Sequence, residues 1–167
     1  MHKILVSACI LGESVRYDGK NNLLKNDSLH QWISQERVIP FCPEVACGMP
    51  VPRRAAEING GDGHDVLAGS ATVIDNAGFD VTDEFKSGAQ QALAACNRHN
   101  IKIAILAQRS PSCGNNTIYD GSFSGTTIAG SGVTAALLTQ HGIKVFNQTE
   151  LHEAAHYLKE LDLNEIR

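Results

Sequence analysis

Short runs in which consecutive residues are apolar give the strongest indication of fold in this chain. The residues ILV near the N-terminus and IAIL in the second half are hydrophobic at neighbouring positions rather than at alternate ones. A strand of this kind is buried on both faces, as in a parallel sheet that helices cover on both sides. The predicted strands are Lys3–Ala8, Arg37–Phe41, Ile101–Leu106 and Lys144–Phe146.

Helical patterns separate these predicted strands. Strands that alternate with helices and connect by right-handed crossovers predict an α/β fold. We therefore expect a three-layer, Rossmann-like open sheet that is mainly parallel, with helices on both faces. The predicted helices are Leu24–Ser34, Thr82–Asn97, Val133–His141 and one from Thr149 to about Leu161, with Thr82 and Thr149 as N-caps.

Two segments do not follow this alternation. Cys42–Gly63 contains three prolines and four glycines, which predicts an extended functional loop. Val66–Phe79 has short apolar stretches divided by glycine and asparagine, which predicts a small hairpin. Because the chain has 167 residues and no linker or internal repeat, we expect one domain that spans residues 1–167.

Charge and hydropathy argue against several classes of function. The net charge is −4 at pH 7 and the pI is about 5.9, so we expect no nucleic-acid partner. No apolar segment reaches 18 residues, which predicts no membrane-spanning helix. The N-terminal residues favour a first buried strand over a signal peptide, so we expect a cytoplasmic protein with reduced thiols.

The cysteines provide the main candidate site. Of the five in the chain, Cys9, Cys42 and Cys113 each follow a predicted strand, in a loop that contains glycine or proline. Because the carboxyl ends of parallel strands meet at one edge of the sheet, these side chains should converge there. A single such cysteine is more often a buried apolar residue, but three at strand ends favour a metal site. Cysteine thiolates favour either zinc or an iron–sulfur cluster, and three ligands would leave one iron of a four-iron cluster open as a Lewis acid.

Six ordered motifs carry a family resemblance that extends from Ile4 to Phe146. On these motifs the chain resembles the bacterial DUF523 family, which includes thiouracil desulfidase. The resemblance implies a desulfidase, an enzyme that removes sulfur as sulfide from 2-thiouracil or from another small thiocarbonyl compound. The motifs are SACILG, VRYDG, FCPEVACGMPVPR, DVTDEF, RSPSCG and YDGSFSG, which begin at Ser7, Val15, Phe41, Asp80, Arg109 and Tyr119.

The resemblance also implies a cofactor and site residues. A 4Fe-4S cluster would be held by Cys9, Cys42 and Cys113, and its open iron would bind and polarise the thiocarbonyl sulfur. Glu44, the acid of the CPE motif, would be the catalytic residue that takes a proton from the attacking water. Cys47 stands where the family usually has glycine, and it could be idle, replace a ligand or close the open iron. The sequence identifies neither the natural substrate nor an acceptor for the sulfide.

The same loops contain candidate substrate-binding residues, namely Ser110, Ser112 and Asp18. The two serine hydroxyls are suited to donate to a substrate oxygen or a cluster sulfide, or simply to satisfy backbone groups of a turn. Asp18 is suited to a substrate contact or to an ion pair within its own loop. Arg53 or Arg109 could recognise a carbonyl-rich substrate through a planar guanidinium.

Two other functions stay open at this point. The first is a cysteine–zinc protein in which the metal organises the loops and no sulfur chemistry occurs. The second is an enzyme with a cysteine nucleophile, Cys113 or Cys42, and no metal. The cysteine motifs contain no histidine to act as its base, which leaves only a distant one such as His64. A brown colour would distinguish an iron–sulfur cluster from both.

Overall fold

The computed structural model describes residues 1–167, which form eight strands and six helices. In chain order the strands are β1 (Ile4–Ser7), β2 (Val38–Phe41), β3 (Ala56–Asn59), β4 (Thr72–Asp75), β5 (Ile103–Leu106), β6 (Thr117–Tyr119), β7 (Thr127–Ala129) and β8 (Lys144–Asn147). The helices are α1 (Asp27–Ser34), α2 (Pro43–Ala46), α3 (Gly63–Ala68), α4 (Thr82–Arg98), α5 (Val133–Gln140) and α6 (Leu151–Ile166). A short 3₁₀ helix, Ala8–Leu11, follows β1 directly.

Four of the strands form the central sheet. Their order is β2-β1-β5-β8, and every neighbouring pair is parallel. In this register Leu5 of β1 lies between Ile39 of β2 and Ala104 of β5. The predicted α/β fold with a mainly parallel sheet is therefore confirmed, and all four strands predicted from the sequence are present.

Helices cover both faces of the central sheet. Side chains alternate between the two faces along each strand, so neighbouring residues of a strand pack against different helices. Ile4 and Val6 pack in one buried cluster with Trp32 of α1 and Leu158 of α6. Leu5 packs on the opposite face, in a cluster with residues of α4 and α5. Burial on both faces thus explains why consecutive residues of β1 are apolar. None of these helices combines the length and the hydropathy needed to cross a membrane.

The remaining strands form two antiparallel pairs, β3 with β4 and β6 with β7. A third buried cluster, which includes Ile58, Val73 and Ile118, joins them to α3, α4 and α5. This packing places β3 and β6 beside the loops that follow β1, β2 and β5. The two small pairs therefore wall the carboxyl edge of the central sheet.

Two of the segment predictions are wrong. Cys42–Gly63 is not an extended loop, because it contains α2 and β3. Val66–Phe79 is not a hairpin, because its first part belongs to α3 and its second part, β4, pairs with β3. A capping box stabilises the start of α3, since the carboxylates of Asp62 and Asp65 each accept a hydrogen bond from the other's N–H.

Several helix ends also differ from the sequence prediction. α1 begins at Asp27 rather than at residue 24, because the side chain of Asn26 caps it. Thr82 lies inside α4, where its hydroxyl accepts a hydrogen bond from β4 instead of capping the helix. The N-cap of α6 is Glu150 rather than Thr149, and α6 continues past residue 161 to residue 166.

Candidate active site

The carboxyl ends of β1, β2 and β5 open into one cleft of about 760 Å³. Three cysteines that follow these strands line it, together with residues of β3, β6 and the turn after β6. Its lining includes Cys9, Arg16, Asn22, Cys42, Glu44, Arg53, Glu57, Arg109, Ser110, Cys113, Tyr119 and Phe123. The fold thus brings together thiols from three separate loops, with the carboxylate of Glu44 two residues after one of them, Cys42.

Cys9 lies in the 3₁₀ helix that begins where β1 ends. Gly12 ends that helix at a φ of 96°, a left-handed conformation that a side chain would strain. The Cys9 thiol is half-buried, and the side-chain amide of Asn22 donates a hydrogen bond to its sulfur at 3.6 Å. Arg16 holds Asn22 in place by donating to its amide oxygen. Burial raises the pKa of the Cys9 thiol, while the hydrogen bond from Asn22 acts in the opposite direction.

Cys42 is the N-cap of α2, and the first helical residue is Pro43. Proline suits that position because its fixed φ matches a helix and no backbone N–H is required there. α2 lies directly against α4 at Gly88, where a Cβ atom would come within 2.5 Å of the Pro43 carbonyl oxygen. Because residue 88 is glycine, α2 can lie close to α4, and this close approach fixes the positions of Cys42 and Glu44. Burial raises the pKa of the Cys42 thiol.

Cys113 is buried in the segment between β5 and β6. The hydroxyl oxygen of Ser110 shapes this segment by accepting hydrogen bonds from the N–H groups of Ser112 at 3.1 Å and Cys113 at 3.2 Å. The segment packs on Gly132, where a Cβ atom would lie 2.5 Å from the Ser112 carbonyl. Burial raises the pKa of the Cys113 thiol, and negative charge on the other two cysteines of the cleft raises it further.

The three thiols of the cleft suit a metal centre that binds thiolates. Thiols with a raised pKa are protonated in neutral water, whereas a bound metal displaces the protons and stabilises the thiolates. A structural zinc site usually has four protein ligands, whereas the cleft offers three thiols. A four-iron cluster takes each cysteine on a different iron, so the residues present fit a cluster.

Glu44 lies in the first turn of α2 and is held by Arg53. The Nε and Nη2 atoms of Arg53 both approach the Oε2 atom of Glu44 at 2.6 Å. The same guanidinium donates to the carbonyl of Val15 at 2.8 Å and to that of Pro50 at 3.1 Å. The Arg53 side chain is only 7% exposed. Its guanidinium therefore joins Glu44 to two loops. Arg109, the other candidate arginine, is exposed and lines the cleft.

Two of the predicted substrate-binding residues are not part of the cleft lining. Ser112 is buried, and its hydroxyl shares a hydrogen bond of 2.8 Å with the hydroxyl of Thr134. Asp18 pairs with Arg16 across 3.3 Å, which fixes the loop that contains both. Ser112 and Asp18 thus have structural partners, and Ser110 is the only one of the three predicted residues that lines the cleft.

The two remaining cysteines also lie outside the cleft lining. Cys47 ends α2, and its thiol donates a hydrogen bond to the carbonyl of Glu44 at 3.1 Å. Cys96 is buried in α4, where burial raises its pKa to about 12. His64 is exposed beside Gln140, and no histidine lines the cleft. The cysteine-nucleophile hypothesis therefore lacks a histidine base at the site.

Comparison with known proteins gives the family. The sequence profile of the 2-thiouracil desulfurase family matches residues 4–150. The chain belongs to this family. It is 42% identical over 150 residues to the uncharacterized protein YbbK of Bacillus subtilis (strain 168), which covers 90% of this chain and 98% of YbbK. Among solved structures it is similar to the 4Fe-4S-dependent thiouracil desulfidase TudS, with a TM-score of 0.87 and 43% identity over 95% of this chain and 99% of that one.

Four residues that line the cleft were not predicted from the sequence. Tyr119 and Phe123 belong to the YDGSFSG motif, so the family resemblance was a signal that this segment matters. Asn22 and Glu57 have no such signal. Their contacts depend on how distant segments pack, since Asn22 reaches Cys9 across a loop and Glu57 binds the turn after β6 from β3.

Proposed function

We propose that this chain is a hydrolytic desulfidase that removes sulfur, as sulfide, from a thiolated nucleobase such as 2-thiouracil. The observation that carries the proposal is the arrangement of three thiols and one carboxylate around a single cleft, at the ends of three parallel strands. Membership of the 2-thiouracil desulfurase family and the likeness to TudS support the same chemistry. At about 760 Å³, the cleft has room for a pyrimidine ring and water.

Cys9, Cys42 and Cys113 would hold a 4Fe-4S cluster. When bound, such a cluster supplies a Lewis acid, because an iron without a protein ligand can accept a thiocarbonyl sulfur. Asn22 would stabilise the thiolate of Cys9 through the hydrogen bond that it donates to the sulfur. Zinc is the weaker candidate, because the structurally similar TudS, 43% identical in sequence, depends on a 4Fe-4S cluster.

Glu44 would act as the general base. Water is a weak nucleophile until a base removes a proton, and a carboxylate held in the cleft can do so. The water oxygen forms a new bond to carbon, its proton passes to Glu44, and the carbon–sulfur bond breaks to release sulfide. A thiocarbonyl and water thus become a carbonyl and hydrogen sulfide, with no gain or loss of electrons. Arg53 contacts only the Oε2 atom of Glu44, so Oε1 is available to the water.

We further propose that the reaction takes place in the cytoplasm. All five cysteines are free thiols, and free thiols stay reduced in that compartment. The substrate is a small thiolated molecule, and the net charge of −4 argues against a nucleic-acid partner.

The test is turnover of 2-thiouracil by protein reconstituted with iron and sulfide under anaerobic conditions. We expect uracil and sulfide to form in equal amounts. Glu44→Gln should keep the cluster but lower kcat by about 10²- to 10⁴-fold, because the base is lost. Cys47→Ser is the matched control and should turn over at the parent rate. A parent protein that contains the full cluster but converts no thiocarbonyl compound would contradict the proposal.

A further inference from the structure

Phe123 occupies the rim of the cleft in a backbone conformation that bulky residues rarely adopt. It lies in the turn between β6 and β7, lines the cleft and is 39% exposed. Its φ is 56°, in the left-handed region, which is a true outlier for a large side chain. Such strain persists only where the surroundings impose it, and it is concentrated at functional sites. The packing around the turn must therefore explain the positive φ of Phe123, and its place at the cleft indicates a functional role.

The cause is a buried carboxylate on the neighbouring strand. The Oε1 atom of Glu57 accepts hydrogen bonds from the N–H groups of Gly121 at 3.0 Å and Phe123 at 3.2 Å. Glu57 is only 8% exposed and has no cationic partner among the ion pairs of the protein. Burial of a charged group is costly unless hydrogen bonds compensate it, so these two bonds are what stabilise Glu57.

The turn also packs tightly on β3. Gly121 has a φ of 93°, and a Cβ atom there would lie 2.6 Å from the carbonyl oxygen of Ile58. At the start of the turn, the carboxylate of Asp120 accepts a hydrogen bond from the N–H of Ser122 at 2.9 Å. The backbone that leads into Phe123 is thus fixed, and this places the residue at the lining of the cleft. The desulfidase mechanism uses neither Phe123 nor Glu57.

We propose that Phe123 is a specificity-determining residue, whose ring is a platform for the planar heterocycle of the substrate, and that Glu57 is the positioning residue that holds it. This inference rests on the proposed desulfidase function and adds the residues that would recognise the substrate ring. A thiolated heterocycle has a π face that stacks on an aromatic side chain, whereas an acyclic thiocarbonyl compound such as thiourea has no ring. The platform therefore favours thiolated heterocycles over acyclic thiocarbonyl compounds.

The experiment compares the reconstituted enzyme and its variants with 2-thiouracil and with thiourea. Phe123→Ala should raise KM for 2-thiouracil about tenfold and leave kcat within about twofold, which is the order of effect of one base–aromatic stack. Phe123→Leu should give the same rise in KM, because leucine keeps an apolar side chain but has no ring on which the substrate can stack. Constants for thiourea should not change. For a compound that the parent does not convert, the inhibition constant replaces KM.

Two further variants separate positioning from packing. Glu57→Ala should raise KM for 2-thiouracil, as Phe123→Ala does, because two N–H groups of the turn lose the carboxylate that accepts their hydrogen bonds. Glu57→Gln should restore most of the parent KM, since its amide oxygen can still accept both N–H groups. Ile128→Ala is the matched control: the residue is 41% exposed on the same hairpin but does not line the cleft. It should leave KM unchanged.

Several results would overturn the inference. One is a parent-like KM for 2-thiouracil in Phe123→Ala. A second is an equal rise of the constants for both compounds, because a stacking platform acts only on the ring. A third is loss of iron in both Phe123 variants, which would assign the residue to the structure of the site. If the parent holds a full cluster and converts neither compound, the proposed function itself fails and this inference falls with it.

Discussion

Replacing Gly88 by alanine tests the close approach of α2 to α4. Two effects oppose each other. Alanine is more favourable than glycine inside a helix by about 1 kcal/mol. Against this, the new Cβ atom would lie 2.5 Å from the carbonyl oxygen of Pro43 and 2.9 Å from its carbon. Overpacking costs about 1–3 kcal/mol, and the upper value applies here because backbone atoms cannot rotate away. The net result is a loss of about 2 kcal/mol in the free energy of unfolding.

Thermal unfolding of the metal-free protein measures this loss. For a chain of this size, about 2 kcal/mol corresponds to a fall in Tm of about 4–8 °C. Because α2 carries Cys42 and Glu44, the iron bound per chain should also decrease. Ser87→Ala is the matched control, since it adds helix propensity at the neighbouring position without a new contact and loses only an exposed hydrogen bond from Gln91. It should be about as stable as the parent. A Gly88→Ala protein that is equally stable and binds iron fully would refute the reasoning.

Three other perturbations test hydrogen bonds elsewhere in the protein. Asn22→Ala removes the donor to Cys9 and should increase the rate of cluster loss to a chelator about 10- to 100-fold, measured by the decay of cluster absorbance. Arg53→Gln should lower kcat about 100-fold at an unchanged KM and iron content, because Glu44, the proposed general base, is misplaced, and Arg53→Lys should recover part of the rate. Asp162 receives a hydrogen bond of 2.7 Å from Arg37, and although burial opposes its ionisation, its hydrogen bonds lower its pKa. Its stabilising effect is therefore present above its ordinary pKa of 3.8 and is lost as pH falls through the lower folded value. Asp162→Asn should lower the free energy of unfolding at neutral pH by roughly 1–2 kcal/mol and make urea unfolding less sensitive to acid.

The central sheet was predictable because burial on both faces leaves a local mark in the sequence. β1 and β5 each have consecutive apolar residues, which helices on the two sides explain. β6 and β7 leave no such mark, because Ile118 is the only buried residue of the two strands. α3 has only six residues, so no helical periodicity develops, although the capping pair Asp62 and Asp65 was a usable local signal.

The positions of the site cysteines were predictable from topology, but the directions of polar side chains were not. Cys9, Cys42 and Cys113 line one cleft because they follow parallel strands. Whether Ser112 points into that cleft depends on α5, whose Thr134 takes its hydroxyl instead. The contacts of Asn22 and Glu57 likewise arise from the packing of segments that are distant in sequence, which a local pattern does not encode.

The most direct test of the proposed centre is the content of iron and acid-labile sulfide per chain after anaerobic reconstitution. The parent is compared with single serine variants at Cys9, Cys42 and Cys113, and with Cys47→Ser as the matched control. We predict about four irons and about four sulfides per chain in the parent and in the control, and a large loss in each of the three other variants. A parent that binds zinc instead of iron, or full iron content in any of those three variants, would contradict the account.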